Sequence, residues 1–256
     1  MSTKVMAFAK NTYKEGVRDR LFLMVGVFGL VAVISSFIVG PLSLGEQIRI
    51  TQDIGLAAIS ILCFAVAVLV GTGIVYREVE RRTIYTIVAK PVRGWHFILG
   101  KFLGLNAIVG LLVILMAALL LAVNTIVSKS FEPRLLVAVL LTWFELLLLT
   151  SLSILMSTIC SPILGAILTF LFYFIGHTSA DLKELAARFG SPMIKAVTAV
   201  LYYALPNLEY LNVRAKIIHD VDVEPSYIAF AGAYALLYTI AFLILAVIFL
   251  NRKEYK

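Results

Sequence analysis

The chain has 256 residues, of which 61% are hydrophobic and only 14% are charged, whereas soluble domains carry about 25% charged residues. This composition excludes a soluble globular domain and predicts an integral membrane protein. The net charge of +7 requires no nucleic-acid partner, because a basic face against anionic membrane lipids accounts for it and no aromatic residues alternate with the basic ones.

Six long apolar runs are predicted to cross the membrane, since most of them reach the ~20 residues that a helix needs to span the hydrocarbon layer. Helices are expected because the runs lack the alternating pattern of a membrane barrel, and an open strand would leave backbone groups unpaired in lipid. The predicted spans are, in chain order, Leu21–Gly40, Ile54–Tyr76, Phe102–Asn124, Leu135–Thr158, Ile163–His177 and Tyr227–Leu250. The fold class is therefore all-α, with residues 1–256 forming one membrane domain.

The distribution of Lys and Arg predicts the orientation of these spans. If the N-terminus is cytoplasmic, the short outer loops hold only Arg49, Lys129 and Arg134, and the basic residues of both termini and of segment 77–101 lie inside. Cytoplasmic loops carry the excess of basic residues in membrane proteins. Both termini are therefore expected to be cytoplasmic.

The segment from Thr178 to Ser226 is the longest predicted outer segment. It contains the moderately apolar stretch "SPMIKAVTAVLYYALP", which is too short to span the membrane and is expected to be a re-entrant or interfacial helix. Pro192 is placed to open this helix and Pro206 to close it. The fifth span, which precedes this segment, is also short.

A charged segment, "REVERRTIYTIVAKPVRGWHFILGK", joins the second and third spans on the predicted cytoplasmic side. Its apolar residues recur at helical spacing, which predicts an amphipathic helix that ends at Lys90–Pro91. An interfacial linker lying on lipid headgroups is the alternative explanation. "GWHFILGK" is not a phosphate-binding loop, because five residues separate its glycines and Phe102 follows the lysine.

The stretch "ERRTIYTIVAKPVRGWHFILGK" resembles the cytoplasmic loop of permease subunits of ATP-binding-cassette (ABC) transporters with the type-2 export membrane domain. The resemblance extends along the chain, through the six spans, the basic N-terminal helix, the long outer segment and "LPNLEYLNVR" at residues 205–214. Arg82 departs from the glycine common in this motif. The matching residues are Glu80, Arg81, Thr83, Tyr85, Lys90, Pro91, Gly100 and Lys101.

In that family, the loop carries a coupling helix that docks into a groove of a separate ATPase subunit. The resemblance thus implies an exporter permease, not an enzyme, that works as a dimer with two copies of an ATPase in a bacterial or archaeal cytoplasmic membrane. No cofactor is expected on this chain, because ATP and Mg²⁺ would bind to the ATPase. The resemblance does not identify the class of substrate. The implied coupling residues are Arg77, Glu78, Glu80, Arg81, Thr83, Ile84, Tyr85, Ile87, Val88, Lys90 and Pro91.

Glu145 is the only acidic residue within a predicted span, and it is a candidate for the substrate pathway together with Thr142 and Ser153. At ~100° per residue these side chains fall on one side of the helix with Thr150 and Ser157. Intramembrane ionisable residues usually face a bundle interior or a cavity. The alternative is a protonated glutamate bonded to a neighbouring helix, with Ser and Thr as packing residues.

Other readings of the sequence have less support. One alternative is a stand-alone six-span carrier that uses Glu145 for ion or proton coupling. Such a carrier should have two halves with related sequences, and no convincing internal repeat is present. A further alternative is an intramembrane scaffold that transports nothing. No hydrolase motif occurs. The outer polar residues have no known metal-ligand spacing, so no metal site is expected at His177, His219, Asp220, Asp222 and Glu224.

Overall fold

A computed structural model of the protein describes residues 2–39, 47–76, 78, 94–189, 192–219 and 221–254. Within these ranges the chain is helical and contains no strand, so the predicted all-α class is confirmed for them. A short 3₁₀ turn covers Leu208–Leu211. The helices are α1 (Ser2–Val17), α2 (Arg20–Val39), α3 (Gln47–Ile74), α4 (Gly94–Ser128), α5 (Arg134–Ile159), α6 (Pro162–Phe189), α7 (Pro192–Ala204), α8 (Arg214–Ile218) and α9 (Pro225–Glu254).

Five of the described helices are long and apolar enough to cross a membrane: α3, α4, α5, the Pro162–Ser179 part of α6 and the Pro225–Arg252 part of α9. The chain is therefore an integral membrane protein. The predicted first span coincides with α2, a helix of 20 residues, and its membrane crossing remains a prediction.

Several helices extend beyond the apolar runs that predicted them, because polar residues near their ends find partners inside the protein. Gln52, in the first turns of α3, donates hydrogen bonds from Nε2 to Asn124 Oδ1 of α4 at 3.1 Å and to Glu132 Oε2 at 2.6 Å. A prediction that ends a span at its first polar residue does not take into account that hydrogen bonds within the protein can satisfy that residue. α3 consequently begins at Gln47 and α4 covers 35 residues.

The predicted short fifth span agrees with the apolar Pro162–Ser179 part of α6, but the helix itself continues to Phe189. α6 packs against α7, and in its last part Lys183 Nζ lies 3.9 Å from the centre of the Tyr202 ring of α7. α7 begins at Pro192 and ends at Ala204, two residues before Pro206, so the predicted helix between the prolines is confirmed. Its placement in or on the membrane remains a prediction.

α3 and α5 form the centre of the bundle. α3 packs against α2, α4, α5 and α6, and α5 packs against α3, α4, α6 and α9. Small residues allow the close approaches: a Cβ on Gly71 would lie 2.8 Å from Ser153 Cβ, and one on Gly104 would lie 2.6 Å from Thr12 Cβ. Gly100 and Gly104 form a G-x-x-x-G pair, a spacing typical of close helix packing, and both lie where α4 contacts α1.

Candidate functional site

The Glu145 side chain lies inside the bundle, near the middle of α5. It is only 3% exposed, and its Oε1 is 2.8 Å from Nε2 of His177 on α6. An isolated carboxylate would be costly in these apolar surroundings. The contact with the imidazole ring compensates for part of that cost and ties α5 to α6.

The other ring nitrogen of His177 faces a second carboxylate, because Nδ1 lies 3.6 Å from Oε2 of Glu209 in the 3₁₀ turn. Asn207 caps this turn by accepting a hydrogen bond from Glu209 N at 2.9 Å. The backbone N–H of Asn207 in turn donates to the Tyr234 hydroxyl of α9 at 2.8 Å. The turn is thus fixed to the bundle with Glu209 directed at the imidazole.

A cavity of about 120 Å³ adjoins Glu145 and is bounded by α3, α5, α6 and residues 212–214. Its polar wall includes the Tyr173 hydroxyl, which is 3.5 Å from that of Ser60. At the rim, Arg214 Nε donates to Asp53 Oδ1 of α3 at 2.5 Å. The volume is enough for a few water molecules or a small polar group.

The predicted pathway residues divide between two places. Thr142 and Glu145 line the cavity. Ser153 is fully buried elsewhere; its hydroxyl donates to Leu149 O at 2.9 Å, and its Cβ faces Gly71. Thr150 donates to Asn106 Oδ1 at 3.2 Å. These polar side chains of α5 are divided between two places because successive turns of this central helix face different neighbours.

The structure adds residues to the site that the pathway prediction did not include. His177, Glu209, Arg214 and Asp53 are distant in sequence, and only folding brings them to Glu145. One segment of the sequence does point to this site: "LPNLEYLNVR", part of the family resemblance, contains Glu209 and Arg214 and supplies part of the cavity wall.

Most of the predicted coupling residues lie outside the described residues, so the structure says nothing of them. Glu78 is described, and its side chain pairs with Lys101 of α4, which is 1% exposed. Just before it, the Ser157 hydroxyl of α5 accepts hydrogen bonds from the N–H groups of Val75 and Tyr76 at 3.1 and 3.0 Å. The chain is therefore bound to both α4 and α5 where it leaves α3. The predicted coupling residues outside the described ranges are Arg77, Glu80, Arg81, Thr83, Ile84, Tyr85, Ile87, Val88, Lys90 and Pro91.

The polar residues considered for a metal are separated from one another. Asp222 pairs with Arg134 at 2.9 Å, and Glu224 accepts a hydrogen bond from Ser226 at 3.0 Å. Among the described residues, no three His, Cys, Asp or Glu side chains are grouped so that they could hold a metal ion. Asp220 lies outside the described ranges.

Comparison with known protein families gives a match that covers almost the entire chain. A family model described as "ABC-2 family transporter protein" matches residues 6–255. No match was found among curated proteins.

Proposed function

This chain belongs to the ABC-2 family of transporter proteins, and from that premise we propose that it is the export permease of an ABC transporter. In this proposal it has six spans with both termini in the cytoplasm of a bacterium or archaeon. Two copies enclose the pathway, and two copies of a separate ATPase bind ATP and Mg²⁺ and drive transport.

Family membership supports a membrane subunit for transport rather than an enzyme. The five membrane-crossing helices agree with this class. The amphipathic pattern of Arg77–Pro91 supports docking to an ATPase, because an apolar ridge can enter a groove while the flanking charges fix its register. The contacts of Glu78, Val75 and Tyr76 with α4 and α5 provide a mechanical path from that segment into the bundle.

The observation that carries the assignment of the pathway is the buried contact between Glu145 and His177 beside a cavity. An ionisable pair within the membrane is costly and usually marks a route for substrate or ions. The cavity lies next to the predicted outer segment, whose 3₁₀ turn contributes Glu209. We place it in the outer part of the pathway, with Thr142 and Glu145 contacting the substrate.

The proposal is tested by purifying the tagged chain from its native membranes in a mild detergent. The expected result is co-purification of an ABC ATPase in equal copy number, with ATP hydrolysis by the complex. A chain that transports substrate without any associated ATPase would instead support the stand-alone carrier, and a chain with neither activity would support a scaffold.

A further inference from the structure

A second and larger cavity lies on the opposite side of α5, outside the site described above. It is a groove of about 650 Å³ between α4 and α5, and Tyr13 of α1 also lines it. The other lining residues are mainly aliphatic, and Ile114 and Leu140 on its walls are 67% and 40% exposed. The groove is therefore open to whatever surrounds the bundle.

A glycine in the wall of the groove leaves room beside an aromatic side chain. A Cβ on Gly110 of α4 would lie 3.6 Å from Trp143 Nε1 of α5, with no closer atom. Asn106, which also lines the groove, has its own partners: it donates to Phe102 O at 3.0 Å and accepts from Thr150 at 3.2 Å. The groove thus suits an apolar occupant, and leaving it empty would forfeit dispersion contacts.

The dimensions of the groove fit a single hydrocarbon chain. From Asn106 to Ile114, α4 advances about 12 Å at ~1.5 Å per residue. One leaflet of the hydrocarbon layer is about 15 Å thick, half of the ~30 Å core. An acyl chain that enters beside Tyr13 would therefore be in contact with the groove along most of its length.

A basic surface lies at the Tyr13 end of the groove. Lys10 and Lys14 are both exposed, and at ~100° per residue they project about 60° and about 100° around α1 from Tyr13, next to one another. The other side of α1 packs on α4, where Thr12 contacts Gly104 and Gly16 contacts Ile108. α1 contains one acidic residue, Glu15, against three lysines.

We propose that this groove is a binding site for an anionic phospholipid, with one acyl chain between α4 and α5 and the headgroup phosphate held by Lys10 and Lys14. Clusters of basic residues beside transmembrane helices attract anionic headgroups on the cytoplasmic side. The assignment to the cytoplasmic leaflet rests on the proposed orientation of the chain; the binding itself does not depend on transport or on an ATPase.

The positive charge favours a lipid over a second copy of the chain. Two copies that met through this groove about a two-fold axis along the membrane normal would place Lys10 and Lys14 of both copies at the same depth. Like charges brought together in this way repel one another. A phosphate, in contrast, neutralises them.

Trp143 allows a direct test, because the chain has only two tryptophans and Trp95→Phe leaves Trp143 as the single reporter. This variant is reconstituted into two sets of mixed vesicles of phosphatidylglycerol and phosphatidylcholine. Brominated acyl chains, which quench tryptophan fluorescence, are carried by the phosphatidylglycerol in one set and by the phosphatidylcholine in the other. At equal mole fraction, brominated phosphatidylglycerol should quench Trp143 several-fold more effectively. Adding Lys10→Gln and Lys14→Gln should abolish that preference, whereas Lys129→Gln, at an exposed lysine distant from the groove, should preserve it.

Each alternative result overturns the proposal. Equal quenching by the two brominated lipids in the Trp95→Phe protein would indicate ordinary contact with bulk lipid. Absence of quenching by both would indicate that protein, such as a second copy, covers the groove. A preference that survives the double lysine substitution would assign the selectivity to other residues. Thermal unfolding of each variant verifies that the fold is retained.

Discussion

Glu145 and His177, which are 32 residues apart in the sequence, are joined by a 2.8 Å contact between Oε1 and Nε2 that links α5 to α6 inside the bundle. Only 3% of the Glu145 side chain and 18% of the His177 side chain are exposed. Replacing either residue therefore removes this contact from its buried partner, most severely for Glu145 because His177 also faces Glu209, and this dependence can be measured.

The two residues should show strong thermodynamic coupling. Breaking a buried ion pair by removing one member costs about 3–5 kcal/mol, whereas replacing both members with apolar residues is often neutral. Glu145→Leu and His177→Leu should thus each lower the melting temperature in detergent more than the double variant does. Additive effects of the two substitutions would show that the contact has no special energetic role.

The proposed pathway role of Glu145 leads to a separate prediction for activity. Glu145→Gln keeps the size of the side chain and its capacity to form hydrogen bonds but removes its ability to ionise, so assembly with the ATPase should be retained. Transport, or the stimulation of ATP hydrolysis by substrate, should change. If both Glu145→Gln and Glu145→Leu transport at the wild-type rate, the residue serves only in packing.

Two glycines of α4 provide a matched pair for the packing of α1. A Cβ on Gly104 would lie 2.6 Å from Thr12 Cβ and 2.7 Å from the Ala9 carbonyl oxygen, so Gly104→Ala should force α1 away from α4. Overpacking of this kind typically costs about 1–3 kcal/mol, which lowers the melting temperature by several degrees. Gly110→Ala meets nothing closer than 3.6 Å and should be neutral or slightly stabilising, because alanine favours helix. Equal melting temperatures for the two variants would contradict the observed α1–α4 contact.

The orientation of the chain can be tested with single cysteines. Cys63 and Cys160 are the only native cysteines, so a cysteine-free background requires two substitutions. A membrane-impermeant thiol reagent added to intact cells should label cysteines at Ser130 and Asp222 but not one at Thr86. Labelling of the cysteine at Thr86 alone would show that the chain has the opposite orientation, which would contradict coupling on the cytoplasmic side.

The sequence predicts the helices of this protein better than it predicts the site. Apolar length alone locates the membrane-crossing helices, because the cost of unpaired backbone groups in lipid leaves few alternatives. The ends of α3 and α4 are not predicted, since Gln52 and Asn124 are polar residues whose cost is offset only by partners that the fold brings to them: Gln52 donates to both Asn124 and Glu132.

For the site, an acid in an apolar run is sufficient to single out Glu145, but not to identify what it contacts. His177 reaches it only because α6 packs against α5, and Glu209 reaches His177 only because the 3₁₀ turn folds back onto α9 through Asn207 and Tyr234. Helical periodicity also grouped Ser153 with Glu145, although Ser153 packs against Gly71 on α3. A periodicity defines the faces of one helix, whereas the neighbour of each face depends on the tertiary fold.

The central claim is that Arg77–Pro91 couples this permease to its ATPase, and it is tested most directly by a double substitution in that segment. Ile84→Asp and Ile87→Asp place charges on the predicted apolar ridge at a cost of several kcal/mol if they enter an apolar groove, while the spans are unaltered. Thr86→Asp, on the opposite face of the predicted helix, is the matched control. The account predicts that the double variant inserts into the membrane but loses the ATPase on co-purification, or retains it without ATP-driven transport, and that the control behaves as wild type. Unchanged ATPase binding together with unchanged transport in the double variant would contradict it.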